Sequence, residues 1–438
     1  MSQLDSLLQW IKNTEDENYK PSTHSFISPK TVVKDDGEWG RGICAATNVR
    51  NRELLMRIPP SFLLNYTTVL KHISKYNSQI KLQGSHYAQV YVPPSIHNDE
   101  DQFTEIYSRF ELEELTNWSS FQLLSFFITF EMQRLQDSFW KPFLDMLPPA
   151  SDFDLVPLTW HVLKVPHHQD LINALPPSTK AHTDKVIKRF ETDYRVVKTC
   201  LKGKTDSCTD DILPVQSFLW AWMCINSRCL YMDIPQKKNN SDNFTMAPYV
   251  DFLNHSCEDQ CSLKIDTTGF QVYTGQSYTP GEQIFLSYGP HSNEFLICEY
   301  GFMLNENRWN DLNITEQITK LLSRVQTDYL KDLDYYGDYT INVESGPSFR
   351  TEVALATLQE PNPGTSRRLQ AFVNGITDGS SYDRHSGILL DEILQQVKYS
   401  CTELPVDEVN DDKLTILRKK VIQKLWKDAS DIMEGQSK

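Results

Sequence analysis

The chain lacks any apolar run long enough to cross a membrane. Its mean hydropathy is -0.46, and its most apolar stretch, Phe121 to Phe130, is short and broken by Gln122, Ser125 and Thr129. The opening Met1-Ser2-Gln3-Leu4-Asp5 has no basic, apolar leader pattern. Sequons such as Asn243-Phe244-Thr245 are therefore read as fortuitous. Paired cysteines are missing too. The nine cysteines are odd in number and scattered, and Cys257 and Cys261 have no second pair at zinc-ligand spacing. A disulfide framework and a structural metal are not expected, and reduced thiols suit a cytoplasmic protein, with the nucleus also open. Positive charge is in deficit: 43 Lys and Arg face 58 Asp and Glu, a net charge of -15. This disfavours direct nucleic-acid binding. It suits a basic polypeptide partner, although charge of this sign also serves solubility alone. There are no internal repeats and no low-complexity tracts.

What is present is length and apolar substance. A chain of 438 residues with 39 % hydrophobic and 11 % aromatic residues has room for two or three domains with a sizeable core. Leu4, Leu7, Leu8 and Ile11 share one face of an expected N-terminal helix within residues 1–20. Short strands follow at Ser25 to Ile27, Thr31 to Val33, Ile43 to Ala46 and Leu54 to Ile58, with turns at Pro29, at Asp35-Asp36-Gly37 and at Pro59-Pro60. From about 90 to 215 the pattern becomes helical, with clear periodicity over Phe121 to Leu135 and Asp184 to Val197. Phe218 to Arg228 is a further helix, and Lys237 to Asn243 a polar loop. Strands return at Ser262 to Ile265, Phe270 to Tyr273 and Gln283 to Leu286, with turns at Thr267-Thr268-Gly269 and Pro280-Gly281. A helix is expected over Ser292 to Tyr300, and a mostly helical segment beyond about 305. In that segment Ile314 to Leu330 and Asp411 to Ile432 are the clearest helices. Leu414, Ile416, Leu417, Val421, Ile422 and Leu425 form the apolar stripe of the last.

The motifs with chemical content are weak singly. Asn254-His255 alone is a capped turn or a polar pair, and Tyr288 alone is a core residue at a strand end. Gly40-Arg41-Gly42 is a tight turn without the further glycine of a dinucleotide fingerprint. Arg228 alone is a helix-end arginine, and Asp251 a helix cap. Their order carries the information. A Gly-Arg-Gly turn, a helical insertion, Asn254-His255, Gly281-Glu282, and Tyr288-Gly289 33 residues after His255 form one joint pattern.

That pattern resembles the SET-domain methyltransferases, in particular the subfamily of the Rubisco large-subunit lysine methyltransferase. This subfamily includes fungal ribosomal-protein lysine methyltransferases and a vertebrate actin-histidine methyltransferase. The resemblance covers nearly the whole chain. It rests on Trp39-Gly40-Arg41-Gly42, Glu53-Leu54-Leu55, Ser138-Phe139-Trp140 with Leu147-Pro148, Ser227-Arg228, Asp251 to His255, Tyr288-Gly289 with Ser292-Asn293, and Tyr300-Gly301-Phe302. It implies an α+β class: a SET fold of short β-sheets around a pseudoknot, with a helical insertion and a helical C-terminal substrate-docking domain. The implied limits are an N-terminal helix within 1–23, a SET domain over 24–289 with its insertion at about 90–215, and the docking domain over 305–438.

The resemblance also implies S-adenosylmethionine as cofactor and roles for single residues. Gly40, Arg41 and Gly42 belong to the cofactor turn, with Glu53 and Leu55 touching the cofactor mainly through backbone groups. Arg228 holds its carboxylate, a charge-assisted pairing. Asn254 and His255 bind the amino group and adenine. Tyr288 is the catalytic tyrosine, and Asp251 and Tyr300 line the channel for the target nitrogen. Such chemistry needs a neutral amine, although lysine has a reference pKa of about 10.4. It also needs a desolvated channel and oxygen atoms around the transferring methyl group. Two features depart from histone-directed relatives. Asn254-His255 is followed by Ser-Cys-Glu-Asp-Gln, and no cysteine-rich segment follows Tyr288. Met232 stands where some members carry a second arginine, which puts substrate contacts there in question. The expected activity is protein-lysine N-methylation of a non-histone protein, by analogy a ribosomal protein or translation factor. Histidine methylation on the same fold, or an inactive SET module that only binds a partner, are the alternatives.

Overall fold

In the computed structural model, residues 2–12, 24–35, 37, 40–93, 101–232, 242–258, 261–266, 268–399 and 411–436 are described. Asp36, Trp39, Asp259, Gln260 and Thr267 lie outside the described residues, as do residues 13–20 of the expected first helix and 237–241 of the expected polar loop. Two compact units emerge: Met1–Phe153 with Val186–Gly289, and Asp154–Lys185 with Pro290–Lys438. The expected insertion is thus divided, since its residues 154–185 group with the C-terminal segment.

The first unit is built from short strands. In chain order they are β1 (Phe26–Ile27), β2 (Thr31–Asp35), β3 (Arg41–Ala45), β4 (Leu54–Ile58), β5 (Leu64–Asn65), β6 (Cys229–Tyr231), β7 (Phe244–Met246), β8 (Asn254–His255), β9 (Ser262–Asp266), β10 (Gly269–Tyr273) and β11 (Gln283–Leu286). They form three small sheets of order β1-β4-β10-β9, β2-β3-β11-β8 and β5-β7-β6. In the second sheet β11 pairs antiparallel with β3, Gln283 opposite Cys44, and parallel with β8, Phe285 opposite Asn254. β5, β6, β7 and β8 were not foreseen, because two or three residues cannot show a period. The prolines 59 and 60 end β4, having no N–H to give to a ladder. Gly269 has φ +107°, and a Cβ there would stand 2.0 Å from the Ile58 carbonyl oxygen, so only glycine lets β10 start beside β4.

Helices cover these sheets. Ser120–Gln133 is capped reciprocally by Ser119 and Gln122 and buried on nearly every side. Its neighbour Val215–Arg228 buries Phe218, Trp222 and Ile225. Trp222 donates to Asp193, and Phe121 stacks obliquely on Trp222. Asn243 of the sequon is fully buried, which fits its fortuitous reading. The helix Gln3–Lys12 is amphipathic as expected, burying Leu7 and Ile11.

The second unit is helical around one apolar cluster that includes Ile318, Leu330, Ile341, Leu355, Leu369, Ile393 and Ile432. Three expectations change here. Ile314 to Leu330 is two helices, Thr315–Leu321 and Arg324–Asp332, because Ser323 caps the second and exchanges hydrogen bonds with Gln326. The segment also contains a sheet of β12 (Asp311–Asn313), β13 (Thr340–Asn342) and β14 (Gly346–Pro347). The final helix, Lys413–Gln436, buries Val421, Ile422, Leu425, Ile432 and Met433, while Leu417 is 38 % exposed and leaves the expected stripe. The helical period holds, but in the first turns the inward positions are taken by Thr415 and Arg418, not by Leu414 and Leu417.

Candidate active site

Within the first unit, four segments with little sequence in common meet: the start of β3, the end of helix Val215–Arg228, the turn Val250–Phe252 leading into β8, and β11 with the residues after it. The β2–β3 connection brings Arg41 opposite Asp35, with Gly40 at φ +69° before it. The Arg41 guanidinium donates to the Met146 carbonyl oxygen at 2.7 Å and lies over the Phe252 ring, 5.3 Å from its centre. Gly42 faces the Asn254 and Gln283 amides. A Cβ there would stand 2.6 Å from Gln283 Oε1 and 3.0 Å from Asn254 Nδ2. Asn254 Nδ2 donates to Gln283 Oε1 at 2.8 Å.

The last residue of the helix reaches the same turn. Arg228 Nη1 donates to the Asp251 carbonyl oxygen at 3.0 Å and to its carboxylate at 3.4 Å. The Asp251 side chain is only 3 % exposed. Burial pushes its carboxyl above the usual carboxylate range, opposed by the positive charges of Arg228 and Arg41. Arg228 Nε and Asp251 Oδ1 are buried without a hydrogen-bond partner among the described residues.

His255 and Tyr288 form the third pair. The Tyr288 N–H donates to His255 Nδ1 at 3.1 Å, so a neutral imidazole carries its proton on Nε2. The two rings stack with centroids 5.1 Å apart. The Tyr288 hydroxyl donates to the Leu253 carbonyl oxygen at 2.7 Å. Its proton is thereby committed, and the phenolic oxygen is left as an acceptor.

The remaining expected residues are Glu53, Leu55 and Tyr300. Glu53 pairs with Lys30, and this bond together with the Arg50 N–H holds its carboxyl below the usual range. Its own N–H donates to Thr274 Oγ1, and its carbonyl oxygen accepts from the Thr274 N–H. Leu55 is fully buried in β4, and its carbonyl oxygen accepts from Ser28. Tyr300 belongs to the second unit, where it follows helix Asn293–Glu299 and its ring lies 6.2 Å from Phe302 and 6.3 Å from His291. Sequence reasoning missed Gln283, Phe252, Met146 and the Leu253 carbonyl. Only Gln283 carried a signal: a polar amide at the head of the apolar run Ile284-Phe285-Leu286.

This geometry can be set beside known proteins. The SET domain profile matches residues 40–289, more than half of the chain. The chain belongs to the SET-domain family. A second profile, the ribosomal lysine N-methyltransferase 2 C-terminal domain, matches residues 310–437. Among SET relatives, ribosomal lysine N-methyltransferase 2 of Saccharomyces cerevisiae is 30 % identical over 458 residues, covering 91 % of each chain. Ribosomal lysine N-methyltransferase set11 of Schizosaccharomyces pombe is 27 % identical, over 97 % of this chain and 95 % of its own. The crystal structure of the SET domain of LSMT bound to lysine and AdoHcy superposes with a TM-score of 0.61 at 13 % identity, covering 100 % of this chain and 90 % of that one. The expected SET fold of α+β class is therefore the observed one.

Proposed function

We propose that this SET protein is a protein-lysine N-methyltransferase that uses S-adenosylmethionine and modifies a ribosomal protein. The observation that carries the reading is the Tyr288 hydroxyl, whose proton is committed to the Leu253 carbonyl oxygen, in the same Asp251-to-His255 segment that Arg228 holds at Asp251. The residues fit the cofactor. Arg228 suits its carboxylate, the Asn254 amide oxygen its ammonium group, and the stacked His255 and Tyr288 rings bound the same region. When bound, the cofactor supplies a methyl carbon activated by sulfonium.

The chain's own atoms do the rest. Tyr288 Oη can accept from an incoming amine and orient its lone pair. The Leu253 carbonyl keeps that oxygen in place. Val250, Phe252 and Leu253 are buried beside the buried Asp251 side chain, and such an apolar lining favours the neutral amine. The relatives named as ribosomal lysine N-methyltransferases, and the C-terminal profile of the same description, support a ribosomal substrate. The net charge of -15 suits basic proteins of that kind and disfavours direct nucleic-acid contact. Among the described residues no helix is long and apolar enough to cross a membrane. A cytoplasmic enzyme, with access to the nucleus, fits such a substrate.

The test is tritium transfer from labelled S-adenosylmethionine to ribosomal proteins produced unmodified in bacteria, followed by mass spectrometry of the labelled band. Nε-methyllysine at a defined position supports the proposal. Label on histidine, or no transfer to any ribosomal protein, overturns it.

A further inference from the structure

Gln283 has a place in the site that its position in an apolar strand does not require. It heads β11, opposite Cys44 of β3, and its side chain turns to the Asn254 amide of β8 on the other edge. The Asn254 Nδ2 donates to Gln283 Oε1 at 2.8 Å and lies 3.5 Å from the Arg41 carbonyl oxygen. A backbone carbonyl can only accept. The amide group of Asn254 is therefore oriented with nitrogen toward β3 and β11. Its Oδ1, which takes no hydrogen bond from the described residues, is turned the other way. Gly42 completes the arrangement: a side chain there would collide with both amides.

We infer that Gln283 is a positioning residue, which locks the Asn254 side chain so that its oxygen is presented as an acceptor to the cofactor's amino group. The inference rests on the cofactor reading above. Without the lock, an asparagine amide can flip and turn its NH2 toward a cation, replacing attraction by repulsion. A glutamate at 283 would keep an acceptor for Asn254 Nδ2. A leucine would remove it at similar size.

The experiment is calorimetric binding of two ligands that differ in the amino-acid portion. S-adenosylhomocysteine carries the amino group, and 5′-methylthioadenosine lacks it. In Gln283→Leu the preference for S-adenosylhomocysteine over 5′-methylthioadenosine should fall about tenfold, the scale of one charge-assisted hydrogen bond. In Gln283→Glu it should stay within about threefold of the wild type. Gly42→Ala, which presses a methyl group onto the same amide pair, gives an independent arm and should lose the preference as Gln283→Leu does. An unchanged ligand ratio in Gln283→Leu, or equal losses for both ligands, would overturn the inference and leave Gln283 a packing residue. A wild-type chain that binds neither ligand would instead overturn the cofactor reading beneath it.

Discussion

In the first unit the chemistry stands on strands of two to five residues, such as Asn254–His255, Gln283–Leu286 and Arg41–Ala45. In the second, all seven of the named core side chains sit on helices or β13 around one continuous apolar cluster. A two-residue strand contributes few backbone bonds, so it cannot fix a side chain by itself. The first unit compensates with paired side-chain contacts: Asn254 with Gln283, His255 with Tyr288, Arg228 with Asp251. The second spreads its stability over many apolar contacts. Damage to a pair should therefore change function with little loss of stability, and damage to the cluster should do the reverse.

The largest expected effect is on the first side of that contrast. Tyr288→Phe removes the oxygen and keeps the ring against His255. Turnover should fall a hundred- to thousandfold, about 3–4 kcal/mol, with S-adenosylhomocysteine affinity within threefold of the wild type. Single-turnover methyl transfer together with calorimetry checks both halves; a rate within about threefold would reduce Tyr288 to packing. Nearly as large, on the other side, is Leu355→Ala. Leu355 is buried in the helical cluster, and its truncation should cost about 3 kcal/mol in denaturant unfolding. Cofactor affinity should not move; if it does, the division of labour between the units is wrong.

Asn254→Ala should weaken S-adenosylhomocysteine binding tenfold or more, about 1.5–3 kcal/mol, while the melting temperature of the ligand-free chain changes little. Equal affinity for mutant and wild type would show that the Asn254–Gln283 pair serves structure alone. The smallest effect separates periodicity from packing. Leu417→Gln should alter stability by less than about 0.5 kcal/mol, because Leu417 is exposed. A loss of several times that size would place Leu417 against an apolar partner.

Much of this architecture was legible in the sequence. β4 and β11 fell where alternating or apolar runs met Pro59-Pro60 and Gly281, and the helix over 120–133 followed its periodicity. Ser323 was an unrecognised cap, so two helices were read as one. β12 to β14 escaped notice because strands of two or three residues among helices leave no repeating pattern. At the site, residue types in order pointed to Asn254, His255 and Tyr288, while Arg228 and Asp251 were named only by the family resemblance. Partners could not be read that way. Nothing in the chain's order says that Gln283 meets Asn254, that Thr274 occupies the backbone of Glu53, or that Met146 receives Arg41. These contacts join segments up to 221 residues apart.

That separation has a consequence for synthesis. β3 emerges early, but its partner β11 lies about 240 positions later, and β8 can join in parallel only through β11. Until that strand leaves the ribosome, Arg41–Ala45 can pair only with β2 and presents one open edge. Long-range pairing of this kind slows folding and prolongs exposure of strand edges. A ribosome stalled near codon 280 should thus hold a nascent chain that engages chaperones. Moving the stall beyond about codon 330, so that β11 clears the exit tunnel, should release it.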